Sequence, residues 1–380
     1  MRGRPVALLG LAAFLAACSQ KPAATPDEGR ARSEAASFVQ VPQKISAHVT
    51  LLRLPVTQFI DPTGNVVVIE QSDGLVLIDS GGYFGAGRRV VEMVKAISAK
   101  PVKALVLTHY HSDHSFGAAA VLAAWPGADF IASEGTLKAM AEGRPPGAPR
   151  APSKAFEQAK AAALSDAFAQ QAKAVAGVST PEERAGWKLE LASLPQRLAD
   201  IPGTYTVLPR HAFHDRLDLP DRVTPVQLLF LGRANTPGDT LVWLPGERIL
   251  VTGDIVVAPI PYMFDVYPAE MLSVFDRMRR LPFRTMIPGH GEAQERAYLD
   301  RLEAFVRDVR DEAGGLARQG LAAEEVKARM DSARYRKAFA GNDPWLGFWF
   351  DNYAWSPLVE SVWHEAHGDA LGPPPVKPSS

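Results

Sequence analysis

The sequence predicts a mixed α/β fold, because short apolar runs typical of strands alternate with stretches typical of helices. The runs 65–70, 75–78 and 104–107 are rich in Val, Ile and Leu and stop at polar or glycine-containing turns. The stretch 88–99, between the last two runs, has helical character. This alternation is typical of sheets that are covered by layers of helices.

The composition is that of a globular protein. The chain has 380 residues, of which 47% are hydrophobic and 22% charged, and its formal net charge is −1. This length suffices for one large domain, or for one domain with an appendage. The sequence has no basic block of the kind that marks nucleic-acid binding, so we expect no nucleic-acid partner.

The first residues predict export. Arg2 and Arg4 precede an apolar run from 6 to 17, which ends in Leu-Ala-Ala before Cys18. A basic start, a short apolar run and small residues before a cleavage point are typical of a secretory signal. The run is shorter than the roughly 20 residues that span a bilayer. Together with Cys18 it resembles a bacterial lipobox, and the alternative is an ordinary signal peptide with an incidental cysteine.

The lipobox resemblance implies a location and a membrane partner. We expect residues 1–18 to be a lipoprotein signal that ends in a lipidated Cys18. The lipid would anchor the protein in the bacterial cell envelope, facing the periplasm, and Ser19 after the cysteine resembles outer-membrane sorting. Residues 19–44 are predicted to be a flexible tether. Cys18 is the only cysteine of the chain, so we expect no internal disulfide and no cysteine metal ligand.

The rest of the chain divides into a main domain and added helical segments. We expect the domain at 45–291, a helical insertion at about 134–200, a helical and aromatic region at 292–371 and a disordered tail at 372–380. The insertion is either a solvated cover or a lid or wall that shapes substrate choice. The aromatic residues near the end are interpreted as packing rather than recognition.

The most informative stretch follows the strand that ends at Thr108. His109, His111, Asp113 and His114 fall within six positions, just before a predicted helix. His109 and His111 are two residues apart and point the same way in an extended segment, whereas Asp113 and His114 lie past the turn. The pattern therefore predicts two neighbouring metal positions. Imidazole and carboxylate ligands suit zinc, and iron or manganese less uniquely.

Three more polar side chains follow predicted strands. Asp79 begins an Asp-Ser-Gly-Gly turn, Asp254 ends the apolar run 249–254, and His290 follows the run that begins at Thr285. Strand ends from four parts of the chain thus present acidic or imidazole side chains.

Taken together, these residues resemble the metallo-β-lactamase fold superfamily of metallohydrolases. The matching segments occur in the family's order between Asn65 and Gly291. They are Asp79-Ser-Gly-Gly, the His-x-His-x-Asp-His loop, Gly232-x-x-x-Thr-Pro-Gly-Asp, Gly253-Asp254 and Gly289-His290-Gly. The resemblance implies an αββα sandwich with the metal site along one edge, between two sheets.

The resemblance also implies roles for individual residues. One metal site would use His109, His111 and a third histidine, and the other would use Asp113, His114 and His290. Asp254 would bridge the two sites. Asp79 would orient the ligand loop with Thr108 rather than bind metal.

The position of the third histidine is occupied by Asn235, which departs from the family pattern. An amide oxygen is a weaker zinc donor than imidazole, so Asn235 is at best a weak ligand. We therefore predict one tightly bound zinc and a second that is weak or absent. His211 or His214 is an alternative source of the missing ligand.

The predicted activity is hydrolysis by metal-activated water, with Asp113 or Asp254 as the catalytic carboxylate that orients the water and accepts its proton. We expect a small-molecule ester, lactone, thioester or amide as the substrate. Family members that open β-lactams usually carry Cys or Ser at the position of Asp254, which disfavours the alternative of a β-lactamase. A further alternative is a non-catalytic metal-binding accessory protein, in which Asn235 reflects the loss of a metal ligand. The sequence leaves the oligomeric state open.

Overall fold

The structure, a computed structural model, describes residues 38–55, 58–175, 177–178 and 180–373. Two β-sheets lie face to face, and helices cover the outer face of each. This arrangement confirms the predicted α/β fold and the αββα layering that the resemblance implied.

The first sheet has seven strands in chain order. They are β1 (Val41–Lys44), β2 (Val49–Arg53), β3 (Val66–Glu70), β4 (Leu75–Ile78), β5 (Val102–Val106), β6 (Asp129–Ser133) and β7 (His211–Phe213). The pairings from β1 to β4 are antiparallel, and those from β4 to β7 are parallel. Because β4 and β5 are parallel neighbours, the residues that follow them meet at the same edge of the sheet.

The second sheet has six strands in the order β13-β12-β11-β10-β9-β8. They are β8 (Arg216–Leu219), β9 (Val226–Leu229), β10 (Leu241–Leu244), β11 (Ile249–Val257), β12 (Thr285–His290) and β13 (Gln294–Glu295). Its strands pair antiparallel except for β11 and β12, which are parallel. That parallel pair brings Asp254 and His290 to one edge.

Alternation along β3 shows how the sequence specifies the layers. Val67 and Ile69 pack in the core between the two sheets, whereas Val66 and Val68 pack under the helices outside the first sheet. Successive side chains of a strand point to opposite faces, so a strand that is apolar at every position is covered on both sides.

Helices follow most strands and make up the insertion and the C-terminal region. Those of the first half are α1 (Phe84–Ile97), α2 (Ser112–Ser115), α3 (Ala118–Ala124), α4 (Glu134–Ala141), α5 (Lys154–Val175), α6 (Pro181–Ala192) and α7 (Leu194–Asp200). Those of the second half are α8 (Pro268–Arg279), α9 (Arg296–Arg318), α10 (Ala323–Arg329), α11 (Ala333–Ala340), α12 (Pro344–Trp349), a π-helical turn (Phe350–Trp355) and α13 (Ser356–His367). The inserted helical segment and the helical C-terminal region are therefore confirmed, with α4 to α7 forming the insertion.

The predicted tether is too long at its C-terminal end. Val41–Lys44, assigned to the tether, form β1 and pair antiparallel with β2. In this strand Val41 and Gln43 are half-buried while Pro42 and Lys44 are exposed. Proline is tolerated at the edge of a sheet because its missing N–H faces away from the neighbouring strand.

Several predictions lie outside the described residues. They are the signal segment, the lipidated Cys18, the tether as far as residue 37 and the tail from residue 374. Among the described residues, no helix is both long and apolar enough to cross a bilayer.

Candidate metal centre

Asp79 holds together the two segments that carry the histidines. Its Oδ1 accepts a hydrogen bond from the backbone N–H of Thr108 at 2.8 Å, and its Oδ2 accepts one from Thr108 Oγ1 at 2.8 Å. The same Oδ2 lies 2.9 Å from Nδ1 of His114. Asp79 has a backbone φ of +62°, a left-handed conformation that non-glycine residues seldom adopt and that often occurs at functional sites.

These contacts set the orientation of two imidazoles. With its Nδ1 directed at Asp79, His114 places Nε2 on the opposite side of the ring. Thr108 Oγ1 lies 2.9 Å from Nδ1 of His109, so Nε2 of His109 also faces away from the strand. Buried partners of this kind orient metal-binding histidines and strengthen them as ligands.

Four side chains converge at the first group of potential ligands: Asp113, His114, Asp254 and His290. Nε2 of His114 lies 3.3 Å from Asp113 Oδ2 and 3.3 Å from Asp254 Oδ1. Nε2 of His290 lies 2.9 Å from Asp113 Oδ2 and 3.7 Å from Asp254 Oδ1, and the two Nε2 atoms are 3.2 Å apart. Ligand atoms around tetrahedral zinc, with bonds of about 2.0–2.1 Å, lie roughly 3.3 Å from one another. The donor set fits such an ion.

The second group contains His109, His111 and again Asp254. Nε2 of His109 lies 3.0 Å from Nδ1 of His111 and 3.6 Å from Oδ2 of Asp254. Asp254 therefore directs Oδ1 toward one group and Oδ2 toward the other, the arrangement that a bridging carboxylate needs.

Asp254 does not end a strand, as the sequence suggested, because β11 continues to Val257. The pairing of β11 with β12 shifts register on both sides of Gly253, whose φ is +52°. Such an irregularity re-aims a side chain within a strand. On the neighbouring strand, a Cβ added to Gly289 would lie 1.9 Å from Asp254 Oδ1, so glycine is needed there for the carboxylate to fit.

Asn235 is buried, with 2% of its surface exposed. Neither its amide oxygen nor its amide nitrogen has a hydrogen-bond partner among the described residues. The loop that carries Asn235 contacts the residue that directly precedes the histidine motif, because the N–H of Thr240 donates to the carbonyl of Thr108 at 2.7 Å. The loop is also closed by Asp239, which accepts the backbone N–H of Thr236 at 2.8 Å. A buried polar group without a partner costs about 1–3 kcal/mol, so a ligand for this amide is expected.

The pKa values of the buried histidines His109 and His114 shift in opposite directions. Burial, reinforced by His114 and His111, lowers the pKa of His109 well below its usual value, which keeps its imidazole neutral. Burial alone would also lower the pKa of His114, but Asp113, Asp254 and Asp79 raise it well above the usual value. Burial opposes ionisation of Asp113 as well, but His114 and His290 hold its pKa well below the usual value. Anionic carboxylates and imidazoles gathered this closely favour a cation between them.

A cavity of about 390 Å³ opens onto these ligands and is lined by Asp113, Asp254 and His290. Its other walls include residues to which the sequence assigned no role: Phe59, Tyr110, Arg144, Ile260 and Tyr262. Tyr110 lies between His109 and His111 of the ligand motif, so the sequence could have indicated that its side chain lies near the metal groups. The remainder come from loops distant in sequence and carry no motif.

The helical insertion supports one wall of this cavity. Glu190 of α6 is buried and accepts the backbone N–H groups of Phe59 at 3.2 Å and Ile60 at 3.1 Å. Arg197 of α7 donates to Glu190 at 3.2 Å and to Gln58 at 2.8 Å. The insertion thus fixes the segment that carries Phe59. Of the two interpretations of the insertion, this contact favours a wall of the site and disfavours a solvated cover.

The C-terminal aromatic residues mainly pack, as predicted, but one of them also reaches the cavity. Phe59 stacks on Trp349 with ring centroids 4.5 Å apart, and Trp187 of the insertion packs against Trp345 at 5.0 Å. Tyr353 lines the cavity, and its hydroxyl donates to the carbonyl of Phe59. The C-terminal region therefore completes the wall that the insertion supports.

His211 and His214 are surface residues. Their side chains are 67% and 76% exposed and pair with Asp129 and Glu134. Neither belongs to the two groups of potential ligands, so the alternative that one of them replaces the missing histidine is wrong for this conformation.

Comparison with known families agrees with this geometry. The family profile described as the metallo-beta-lactamase superfamily matches residues 61–290, a span that contains every residue of both ligand groups. The chain belongs to the metallo-β-lactamase superfamily.

Relatives within the superfamily include sulfatases. The chain is 22% identical over 303 residues to a linear primary-alkylsulfatase from Pseudomonas sp. (strain ATCC 19151), which covers 73% of this chain and 51% of the relative. The chain thus spans about half the length of this curated relative.

Solved structures show the same fold. A metallo-beta-lactamase from Pontibacter korlensis superposes with a TM-score of 0.50 at 18% identity, covering 70% of this chain and 99% of that one. A stereoselective inverting sec-alkylsulfatase from Pseudomonas sp. gives a TM-score of 0.58 at 16% identity, covering 86% of this chain and 50% of that one. These two likenesses show the shared fold, and the chain combines this fold with two residue groups suited to metal binding.

Proposed function

We propose that this chain is an exported metal-dependent hydrolase of a small ester, lactone, thioester or amide. The observation that carries the proposal is the convergence of His114, His290, Asp113 and Asp254 at 2.9–3.7 Å on the wall of a cavity of about 390 Å³. A cavity of this size fits a small molecule.

We assign zinc to the group that contains Asp113, His114, Asp254 and His290. This group has four strong donors, whereas the group of His109 and His111 has only Asp254 to complete it. The family resemblance assigns Asn235, an amide and not an imidazole, to the position of the third histidine of that second group. One zinc is therefore held tightly, and the second weakly or not at all. Iron or manganese in the tight position is the alternative that metal analysis distinguishes.

The chemistry that a divalent metal supplies at such a site is a water with a pKa near about 7 and a positive charge beside the developing oxyanion. Asp113 and Asp254 orient the attacking water through their free lone pairs, and one of them takes its proton. His114, fixed by Asp79, keeps the ligand geometry constant while charge moves.

For a carboxylic ester, hydrolysis at this site takes two stages. The water oxygen forms a bond to the carbonyl carbon, its proton passes to the carboxylate of Asp113 or Asp254, and the π electron pair moves onto the carbonyl oxygen. When that pair returns, the bond to the leaving oxygen breaks, and the leaving alkoxide takes the proton from the carboxyl group. The carboxylate is regenerated.

A sulfate ester is a second candidate substrate. The similarity to the linear primary-alkylsulfatase extends over 73% of this chain, more than the 61–290 span of the family profile. Arg144, which lines the cavity, gives it a cationic group suited to a sulfate. The apolar walls from Phe59 and Ile260 suit an alkyl chain.

One panel of measurements tests the proposal on the chain that begins at Ser19. Metal content is measured after zinc loading, and hydrolysis is followed with p-nitrophenyl acetate, a γ-lactone, a thioester, sodium dodecyl sulfate and the β-lactam nitrocefin. We expect hydrolysis of at least one ester-type substrate and none of nitrocefin. Nitrocefin as the best substrate would indicate a β-lactamase, and metal binding without any hydrolysis would indicate an accessory protein.

The same proposal includes the membrane anchor. We propose that Cys18 is lipidated and that the protein faces the periplasm from the outer membrane. The full-length protein should enter the detergent-soluble outer-membrane fraction of a Gram-negative host, and Cys18→Ser should move it to the soluble periplasmic fraction. Equal distribution of both forms would contradict the anchor.

A further inference from the structure

Tyr262 stands beside the ligand groups on the loop that follows β11. Its side chain lines the same cavity as Asp113, Asp254 and His290. Tyr262 follows Asp254 by eight residues, and β11, which carries Asp254, ends at Val257.

The ring of Tyr262 is held by aromatic contacts on several sides. Its centroid lies 6.1 Å from that of His111 at an interplanar angle of 75°, and 5.8 Å from that of Tyr353 at 74°. Phe264 packs at 5.1 Å. The backbone is fixed as well, since the N–H of Met263 donates to the carbonyl of Tyr353 at 2.9 Å. A group held this way can act without being reorganised.

The hydroxyl of Tyr262 has no hydrogen-bond partner within the part of the chain that the structure describes. Tyr353, which lines the same cavity, does have one, because its hydroxyl donates to the carbonyl of Phe59. Outside the cavity lining, Tyr298 donates to the carbonyl of Val257 at 2.6 Å and Tyr83 to Asp61 at 2.7 Å. Tyrosine hydroxyls that leave bulk water usually find a partner. A cavity-lining hydroxyl without one is therefore available to a ligand.

We propose that the Tyr262 hydroxyl donates a hydrogen bond to the substrate oxygen that gains negative charge during hydrolysis. This inference rests on the proposed function and adds a catalytic residue from this chain to it. In the ester step, the electron pair that moves onto the carbonyl oxygen is stabilised by the Tyr262 O–H, and no proton is transferred at that point. For a sulfate ester the same donor serves a sulfuryl oxygen.

The kinetic test compares Tyr262→Phe with the wild type, on whichever substrate of the panel the wild type hydrolyses. Removing one donor to a developing oxyanion costs on the order of 100-fold or more in kcat, and we expect a loss of this size with little change in KM. Metal content and the thermal unfolding temperature should stay at the wild-type values, because the ring contacts are retained.

A binding test gives a readout besides activity. Phenylphosphonate, an anion with tetrahedral oxygens, is titrated into zinc-loaded wild type and Tyr262→Phe by calorimetry. A hydrogen bond to a charged oxygen corresponds to roughly tenfold or more in affinity, so we expect weaker binding by about that factor.

The matched control is Tyr335→Phe, which removes a hydroxyl on α11 that is bonded to Asp308 and does not line the cavity. It should match the wild type in both assays. Equal kcat and equal phosphonate affinity for Tyr262→Phe and the wild type would overturn the inference, and so would a wild type that binds no phosphonate. If the wild type binds phosphonate in a Tyr262-dependent manner but hydrolyses no substrate, the proposed function fails while the hydrogen-bonding role stands.

Discussion

Oδ2 of Asp79 lies 2.9 Å from Nδ1 of His114, although the two residues are 35 positions apart in the chain. The contact links the end of β4 to the short helix α2 and leaves Nε2 of His114 facing Asp113, Asp254 and His290. Asp79 thus acts on the centre through the histidine and not as a ligand of its own.

The substitution Asp79→Asn tests this link. The new amide retains an oxygen for one of the two Thr108 bonds but lacks the negative charge that holds His114. Partners of this kind typically affect metal affinity by about 10–100-fold, so the zinc Kd should rise by this factor in a chelator competition. Asp73→Asn, on an exposed hairpin, is the control and should leave the Kd unchanged. The same Kd for both variants would contradict the role of Asp79.

Gly289→Ala should disrupt the shared carboxylate. The added Cβ would lie 1.9 Å from Asp254 Oδ1, so Asp254 must move away from one or both ligand groups. We expect less than one retained zinc per chain by elemental analysis. Gly127→Ala is the matched control, since nothing lies within 4 Å of a Cβ at that position. Full zinc retention in Gly289→Ala would show that Asp254 is not needed at its observed position.

Zinc binding should release protons near neutral pH. In the metal-free chain Asp113, Asp254 and Asp79 raise the pKa of His114 against the effect of burial, so the imidazole carries a proton that the metal must displace. Because the folded-state pKa is raised, this histidine stabilises the metal-free fold fully below its unfolded pKa of about 6.5, and the contribution disappears as the pH rises through the folded pKa. Zinc affinity has the opposite dependence and should rise by about tenfold per pH unit below the folded pKa.

The measurement is the zinc Kd between about pH 6 and about pH 8, with calorimetry in two buffers of different ionisation enthalpy to count the released protons. An affinity that does not depend on pH, with no proton released, would contradict the raised pKa of His114.

Asn235 should limit the metal stoichiometry. An amide at the position that the family resemblance assigns to the third histidine is a weak zinc donor, so the wild type should keep about one zinc per chain after mild chelation. Asn235→His supplies an imidazole and should raise retention toward two. Two tightly held ions in the wild type would show that the second group is complete without a third histidine.

The insertion should control the cavity wall without affecting the metal. Glu190→Gln leaves Arg197 without its buried partner, and breaking such a pair typically costs about 3–5 kcal/mol. We expect a lower free energy of unfolding in urea and a higher KM, because the segment of Phe59 loosens, while zinc content stays the same. Glu182→Gln, exposed on the same helix, should be neutral. Loss of zinc in Glu190→Gln would mean that the insertion also organises the ligands.

The sequence by itself determined the layered α/β fold, the helical insertion and the ligand types. Apolar strands such as β3 are readable because side chains alternate between the faces of a sheet. The cluster from His109 to His114 is readable because its donors lie close together in the chain. A motif of this kind indicates which atoms can bind a metal. Its local spacing also assigns His109 and His111 to one metal position and Asp113 and His114 to the other.

Only the tertiary structure decided which atoms meet. Asp254 faces both groups because Gly253 bends β11 and Gly289 leaves room on β12. Both glycines belong to segments that match the family, but the sequence does not show what each of them accommodates. The cavity walls come from Phe59, Tyr262 and Tyr353, which are held by an insertion and by a C-terminal region that carry no motif. Such contacts depend on packing between distant segments, and a chain pattern does not specify which of many apolar and aromatic residues will lie against each other.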